Sequence, residues 1–221
     1  RYSVDRFWKI PHFEKMLYDN AQLATVYAEA YELTGKRTYR RVAEELLDFT
    51  LREMQGDEGG FYSAIDAETD AEEGKFYRWT LAELQTALSE DAFALLAPIY
   101  SFSGEPNFNH EGHAFYVLQL SDTLEKIAAE RELTPEQLEQ QTKASIEKLL
   151  AVRSAKKRPL TDTKILTAWN GLMIRGLADA GRIFDENRYL QQAIACANFV
   201  LEKLRQEDGR LSRTYREGRA S

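Results

Sequence analysis

One cysteine, Cys196, stands among 221 residues. That scarcity excludes an internal disulfide and any cysteine-based metal site. Cys196 lies in YLQQAIACANFV, a helix-like stretch in which it reads as a small buried hydrophobe; a lone free thiol fits a cytoplasmic compartment. Histidine is nearly as rare, with three. His110 and His113 form a His-x-x-His in a Gly/Asn loop, but with no thiolate partner zinc is not expected there and the pair reads as loop decoration. No Walker or Rossmann glycine loop is present, and no cofactor is expected. No apolar run approaches the roughly 18–20 residues that span a bilayer, so no membrane partner is expected. A basic block is also missing. The net charge is −7, which argues against nucleic acid as a partner. The opening RYSVDRFWKIPHFEK has neither an initiator Met nor the apolar core of a signal peptide, so the chain reads as a fragment or processed product.

What is present is helical periodicity. Residues 16–33 place Leu17, Asn20, Leu23, Ala24, Tyr27, Ala28 and Tyr31 on one stripe. A stop at Thr34-Gly35-Lys36 precedes a second helix over 38–54, which ends near Gly56 and Gly59-Gly60, so the two form an antiparallel hairpin. Residues 60–80 alternate as two short strands, 61–66 and 76–79, joined by an acidic loop. Thr80 and Glu83 form a capping box for a helix at 81–88, with another at 91–100. After a loop at 102–115, helices are expected beyond Ser121 and from Pro135 to about 153. A second hairpin covers 164–184 and 187–206.

The two hairpins align without gaps at an offset of 150: Asn20 with Asn170, Ala28 with Ala178, Tyr39 with Tyr189, Ala43 with Ala193, Phe49 with Phe199 and Gly59 with Gly209. Such hairpins bury their apolar faces only by stacking. At about 50 residues per hairpin the offset is three repeats, which in a ring of six sets the two hairpins on opposite sides. The fold expected is all-α, a partial (α/α)6 toroid with a short β-hairpin near 60–79, forming one domain over 1–221.

Three segments carry polar groups at helix mouths. HFEKMLYDN holds His12, Glu14, Asp19 and Asn20. Inward polar groups cost about 1–3 kcal/mol if unpaired, so a structural network or a ligand must satisfy Asp19 and Asn20. The second segment is the acidic ribbon. Asp70 and Glu72 read as a solvated loop, whereas Asp66 ends a strand-like aromatic run near Tyr62, Lys75, Tyr77 and Trp79. Calcium is an alternative for this oxygen-rich loop, although the rest of an EF-hand pattern is missing. In the third segment Asp162, Lys164, Trp169 and Asn170 repeat the theme, and Asn170 matches Asn20 so that both would face one cavity from opposite sides; Arg213 follows the second hairpin toward the same rim. Paired carboxylates flanked by aromatic faces suit glycoside chemistry.

PHFEKMLYDNAQLA, EGGFYSAIDAETDAEEGKFYRWT and LTAWNGLMIRGLADA resemble the spermatogenesis-associated protein 20 family, with its YyaL-type bacterial members. The resemblance implies a thioredoxin-like domain in the full-length protein, lying outside this chain, followed by a toroid of the six-hairpin glycosidase type similar to N-acylglucosamine 2-epimerases. It further implies a small-molecule carbohydrate in a central cavity. Those epimerases lean on paired histidines, whereas here only His12 sits in a motif. Carboxylate chemistry by Asp66, with Glu14 or Asp19 as partner and His12 shaping the site, fits the visible residues better. The expectation is thus a glycoside hydrolase or sugar isomerase/epimerase-like enzyme; the alternative is a non-catalytic sugar- or peptide-binding module serving the attached thioredoxin-like domain.

Overall fold

A computed structural model describes residues 2–221. It is 51% helical, with strands of only two to five residues, so the architecture is all-α. Eight helices are formed among the described residues: α1 (Leu17–Thr34), α2 (Arg37–Glu53), α3 (Leu81–Ala87), α4 (Glu90–Ile99), α5 (Leu124–Ala129), α6 (Pro135–Ser154), α7 (Thr167–Phe184) and α8 (Asn187–Lys203). Within the chain the backbone clusters into two compact units. A hairpin unit contains Glu14–Asp66 and Leu160–Ser221; a second unit contains Ala67–Pro159 and the N-terminal residues through Phe13.

In the hairpin unit the 150-residue repeat is geometric. The bounds of α1 and α7, and those of α2 and α8, differ by that offset. The bridge Gln55–Phe61 recurs as Arg205–Leu211. Lys15–Met16 pairs with Ala64–Ile65, and Ile165–Leu166 pairs with Thr214–Tyr215, in matching register. Each first helix ends on a left-handed residue, Gly35 at φ 66° and Asp185 at φ 56°.

The two hairpins are nevertheless direct neighbours and do not face each other across a ring. α1 and α7 pack side by side on small residues: a Cβ added at Gly176 would come within 2.9 Å of the Ala21 carbonyl oxygen and 3.1 Å of Ala24 Cβ. Leu17, Ala21, Ala24, Ala28, Met173, Leu177 and Ala180 fill the shared core. Arg182 meets Glu32 at 2.7 Å and Arg175 meets Glu29 at 3.2 Å along the seam. The expected opposition assumed that every 50 residues make one more hairpin. Instead, residues 67–159 build the second unit.

The strands also differ from expectation. The run at 61–66 does not pair with 76–79. Ala64–Ile65 lies between Lys15–Met16 and Thr161–Asp162. Arg78–Trp79 pairs with Tyr116–Val117, inside the segment expected to be loop and its sequel. A β-hairpin does form near 60–79, by Glu68–Thr69 and Glu72–Glu73 around Asp70 and Ala71, both at positive φ.

The second unit opens two helices on capping boxes, of which only the one at Thr80 was expected. Thr80 and Glu83 close the capping box of α3, and Thr134 with Gln137 closes that of α6 behind Pro135. Its interior holds Trp79, Leu84, Leu96, Phe102 and Tyr116, then Ile99, Ile127 and Leu138, then Ile10, Phe13 and Val117. No helix among the described residues is long and apolar enough to cross a membrane.

Candidate functional site

In the hairpin unit a three-stranded ladder brings two carboxylates together. Lys15 faces Ile65 and Met16 faces Ala64. One residue further in this antiparallel register, Glu14 stands across from Asp66. The Asp66 N–H is spent on the other side, donating to the Leu160 carbonyl at 2.8 Å. Toward Glu14 the position is therefore of the non-hydrogen-bonded type, where opposing side chains approach most closely. Asp66 is exposed and Glu14 is half-buried. Asp19 lies in the first turn of α1, where the helix N-terminus favours a carboxylate.

Around the ladder, Ala64 faces Asp162. The Asp162 carboxylate accepts from the Lys164 backbone at 3.2 Å and is paired with Lys164 Nζ at 3.1 Å. Burial pushes this carboxyl up, but the Lys164 hydrogen bonds outweigh it and hold the group below the usual carboxylate range. Trp169 and Tyr18, in the first turns of α7 and α1, meet edge-on at 4.8 Å. Arg213 is exposed, and its carbonyl accepts from Thr167. Tyr62 lines a separate groove of about 350 Å³ with Glu58, Thr163 and Tyr215.

Asn20 and Asn170 do not face a common cavity. Each donates its amide to the carbonyl four residues earlier, Met16 at 2.8 Å and Leu166 at 3.0 Å, fastening the start of its own helix. Asn170 is 0% exposed, and its amide also holds both backbone groups of Phe61. It has no capacity left for a ligand.

The remaining candidates belong to the second unit. His12 Nδ1 lies 2.8 Å from Glu73 Oε1, and its ring stacks on Tyr2 at 4.8 Å. Tyr77 stacks on Phe13 at 5.6 Å, and burial pushes its hydroxyl up to about 12. Trp79 is buried under Lys156, whose Nζ sits 4.4 Å from the ring centroid. Lys75 bonds Glu72 at 2.7 Å and Asp70 at 3.3 Å.

Lys75 lines a cavity of about 530 Å³ with Thr69, Asp70, Glu72, Arg78 and Lys157 among its walls. Asp70 is exposed at the turn, as a solvated acidic loop would have it, whereas Glu72 departs from that reading. Glu72 is half-buried and serves Lys75, Arg78 and, at 3.5 Å, His110 Nε2. Hydrogen bonds from Lys75 and then Arg78 hold Glu72 below the usual carboxylate range; Lys157 and Lys75 do the same for Asp70. Thr69 and Arg78 were not singled out in the sequence. The available signal was Arg78 two residues after Phe76, on the buried side of a short strand.

No family model matches the chain. Over 236 aligned positions it is 36% identical to spermatogenesis-associated protein 20 of Rattus norvegicus, and over 238 positions 36% identical to that of Homo sapiens. Each match covers 97% of this chain. The chain belongs to the spermatogenesis-associated protein 20 family. It spans 30% of the length of these relatives, so the matched family segment is a part of those proteins. Among solved structures it is similar to D-mannose isomerase, at 16% identity and a TM-score of 0.28, covering 93% of this chain and 45% of that one. A similarity at that score carries no weight for fold or chemistry.

Proposed function

We propose that this family segment carries out carbohydrate chemistry, as a glycoside hydrolase or sugar isomerase, with Asp66 and Glu14 as its two working carboxylates. The observation that supports it is the cross-ladder register of Glu14 and Asp66. Directly opposed residues hold their Cβ atoms about 4.5–5.5 Å apart. That is compatible with the roughly 5–5.5 Å between carboxyl groups used in retaining glycoside hydrolysis. In that chemistry one carboxyl gives a proton to the departing sugar oxygen, and the other attacks or removes a proton. Asp19 supplies a further negative charge at the α1 mouth. The Tyr18–Trp169 pair offers a face for a sugar ring, with Asp162, Lys164 and Arg213 as polar contacts.

The test separates catalysis from binding. A panel of glycosides and free sugars is followed by proton NMR with the wild type and with Asp66→Asn. Loss of turnover with binding retained supports the reading. Binding of a sugar that the wild type leaves unaltered assigns the segment to a non-catalytic binding module.

A further inference from the structure

The cavity of the second unit contains two buried polar groups that the protein leaves unmet. Arg78 is 6% exposed and Thr69 is 5% exposed; Arg78 Nη1 and Thr69 Oγ1 have no hydrogen-bond partner. Both residues line the cavity. They are near neighbours, because Thr69 sits across the β-hairpin from Glu72, and Glu72 accepts from Arg78 Nη2. The flat face of the guanidinium is covered by Phe115 at 4.2 Å.

Unmet buried donors are rare because each forfeits its hydration without replacement. An arginine is an especially costly case, and its planar fork matches an oxyanion better than a neutral acceptor. The neighbouring carboxylates are already engaged by other cations. Two carboxylates, Asp70 and Glu72, serve three permanent cations, Lys75, Arg78 and Lys157. Glu72 is in addition the partner of His110. Glu83 is taken by Lys156 at 2.8 Å. Glu111 also lines the cavity, so its four carboxylates and four permanent cations balance, and the unmet groups rather than a surplus charge mark the site. The cavity is large enough for a small metabolite.

We infer that this cavity binds the oxyanion of a small metabolite, a phosphoryl or carboxylate group, through Arg78 Nη1 and the Thr69 hydroxyl. The inference stands apart from the Glu14–Asp66 chemistry. The two buried groups supply the fixed contacts. A purely structural Thr69 would be hydrogen-bonded; an unmet hydroxyl costs stability unless a ligand completes it.

Isothermal titration of the intact protein with inorganic phosphate and with glucuronate tests this. One or both anions bind the wild type, which also tells a phosphoryl from a carboxylate source. Arg78→Lys and Thr69→Val each weaken that binding by about tenfold or more, the loss expected for a charge-assisted hydrogen bond. Thr69→Val should leave the ligand-free melting temperature unchanged or raised, so its binding loss is not a folding defect. Asp66→Asn should leave anion binding intact. Failure of both anions to bind the wild type, or equal binding by Thr69→Val and the wild type, overturns the inference.

Discussion

Asn170 holds the backbone of Phe61 by both of its polar groups. The amide oxygen accepts the Phe61 N–H at 2.8 Å, and the amide nitrogen donates to the Phe61 carbonyl at 3.0 Å. Cys196 Sγ donates to the same oxygen at 3.4 Å. Truncating Asn170 would orphan buried backbone groups of a residue that is itself in the core. Asn170→Ala is expected to cost about 2–4 kcal/mol in urea unfolding, from two unmet groups at 1–3 kcal/mol each with some relaxation. Asn20, its counterpart by repeat, makes one bond at a half-buried position. Asn20→Ala should cost only about 1 kcal/mol. Equal costs would mean that the two amides share a role that the geometry does not give them.

The α1–α7 seam yields an opposed pair of glycine substitutions. Gly176 has the Ala21 carbonyl oxygen 2.9 Å from where a Cβ would sit, whereas Gly171, in the same helix, has nothing within 4 Å. Gly171→Ala should stabilise by about 0.5–1 kcal/mol through helix propensity alone. Gly176→Val should destabilise by about 1–3 kcal/mol or more, because backbone rather than a flexible side chain must give way. Calorimetric melting of the two variants checks both signs.

Alkaline stability follows from buried protons, among them those of Cys196 and Tyr77. Burial pushes the Cys196 thiol from 9.0 up to about 12 and the Tyr77 hydroxyl from 10.0 up to about 12. The unfolded chain loses these protons first as pH rises, so unfolding is favoured above the ordinary values. The stability each group lends is full below about pH 9 for Cys196 and pH 10 for Tyr77, and is gone by about pH 12. The loss is on the order of 2–4 kcal/mol per group. Urea unfolding between pH 8 and 12 should show the decline, and Cys196→Ala or Tyr77→Phe should each flatten it. A slope unchanged in both variants would place the alkaline transition elsewhere.

Much of the fold was legible because its signals are local. The Thr80–Glu83 and Thr134-Pro135 starts were readable as capping chemistry, and helix ends fell within three residues of expectation. The 150-residue offset was readable because a repeated hairpin repeats its small residues and its stop glycines. The neighbour relation of α1 and α7 was not, since it depends on what 67–159 does between them. Strand partners were also hidden: Ala64–Ile65 finds one partner about 50 residues earlier and another about 100 residues later, and runs of two residues carry no signal of either. Within the site, the polar helix mouths at Asn20 and Asn170 were visible, but their job as fasteners of the helix starts shows only in three dimensions. Thr69 and Arg78 were missed because a strand of two residues gives too little alternation to mark a buried face.

The most direct test of the proposed chemistry is turnover by two conservative variants of the facing carboxylates. Asp66→Asn and Glu14→Gln keep the shape of the side chains and remove their proton chemistry. With a glycoside or sugar that the wild type converts, each variant should lower kcat by about 10²–10⁴-fold, the range for loss of a general acid or base. The double variant should fall little further, because the two groups act as one unit. Either variant turning over its substrate at the wild-type rate would contradict the assignment of Asp66 and Glu14 as the working pair.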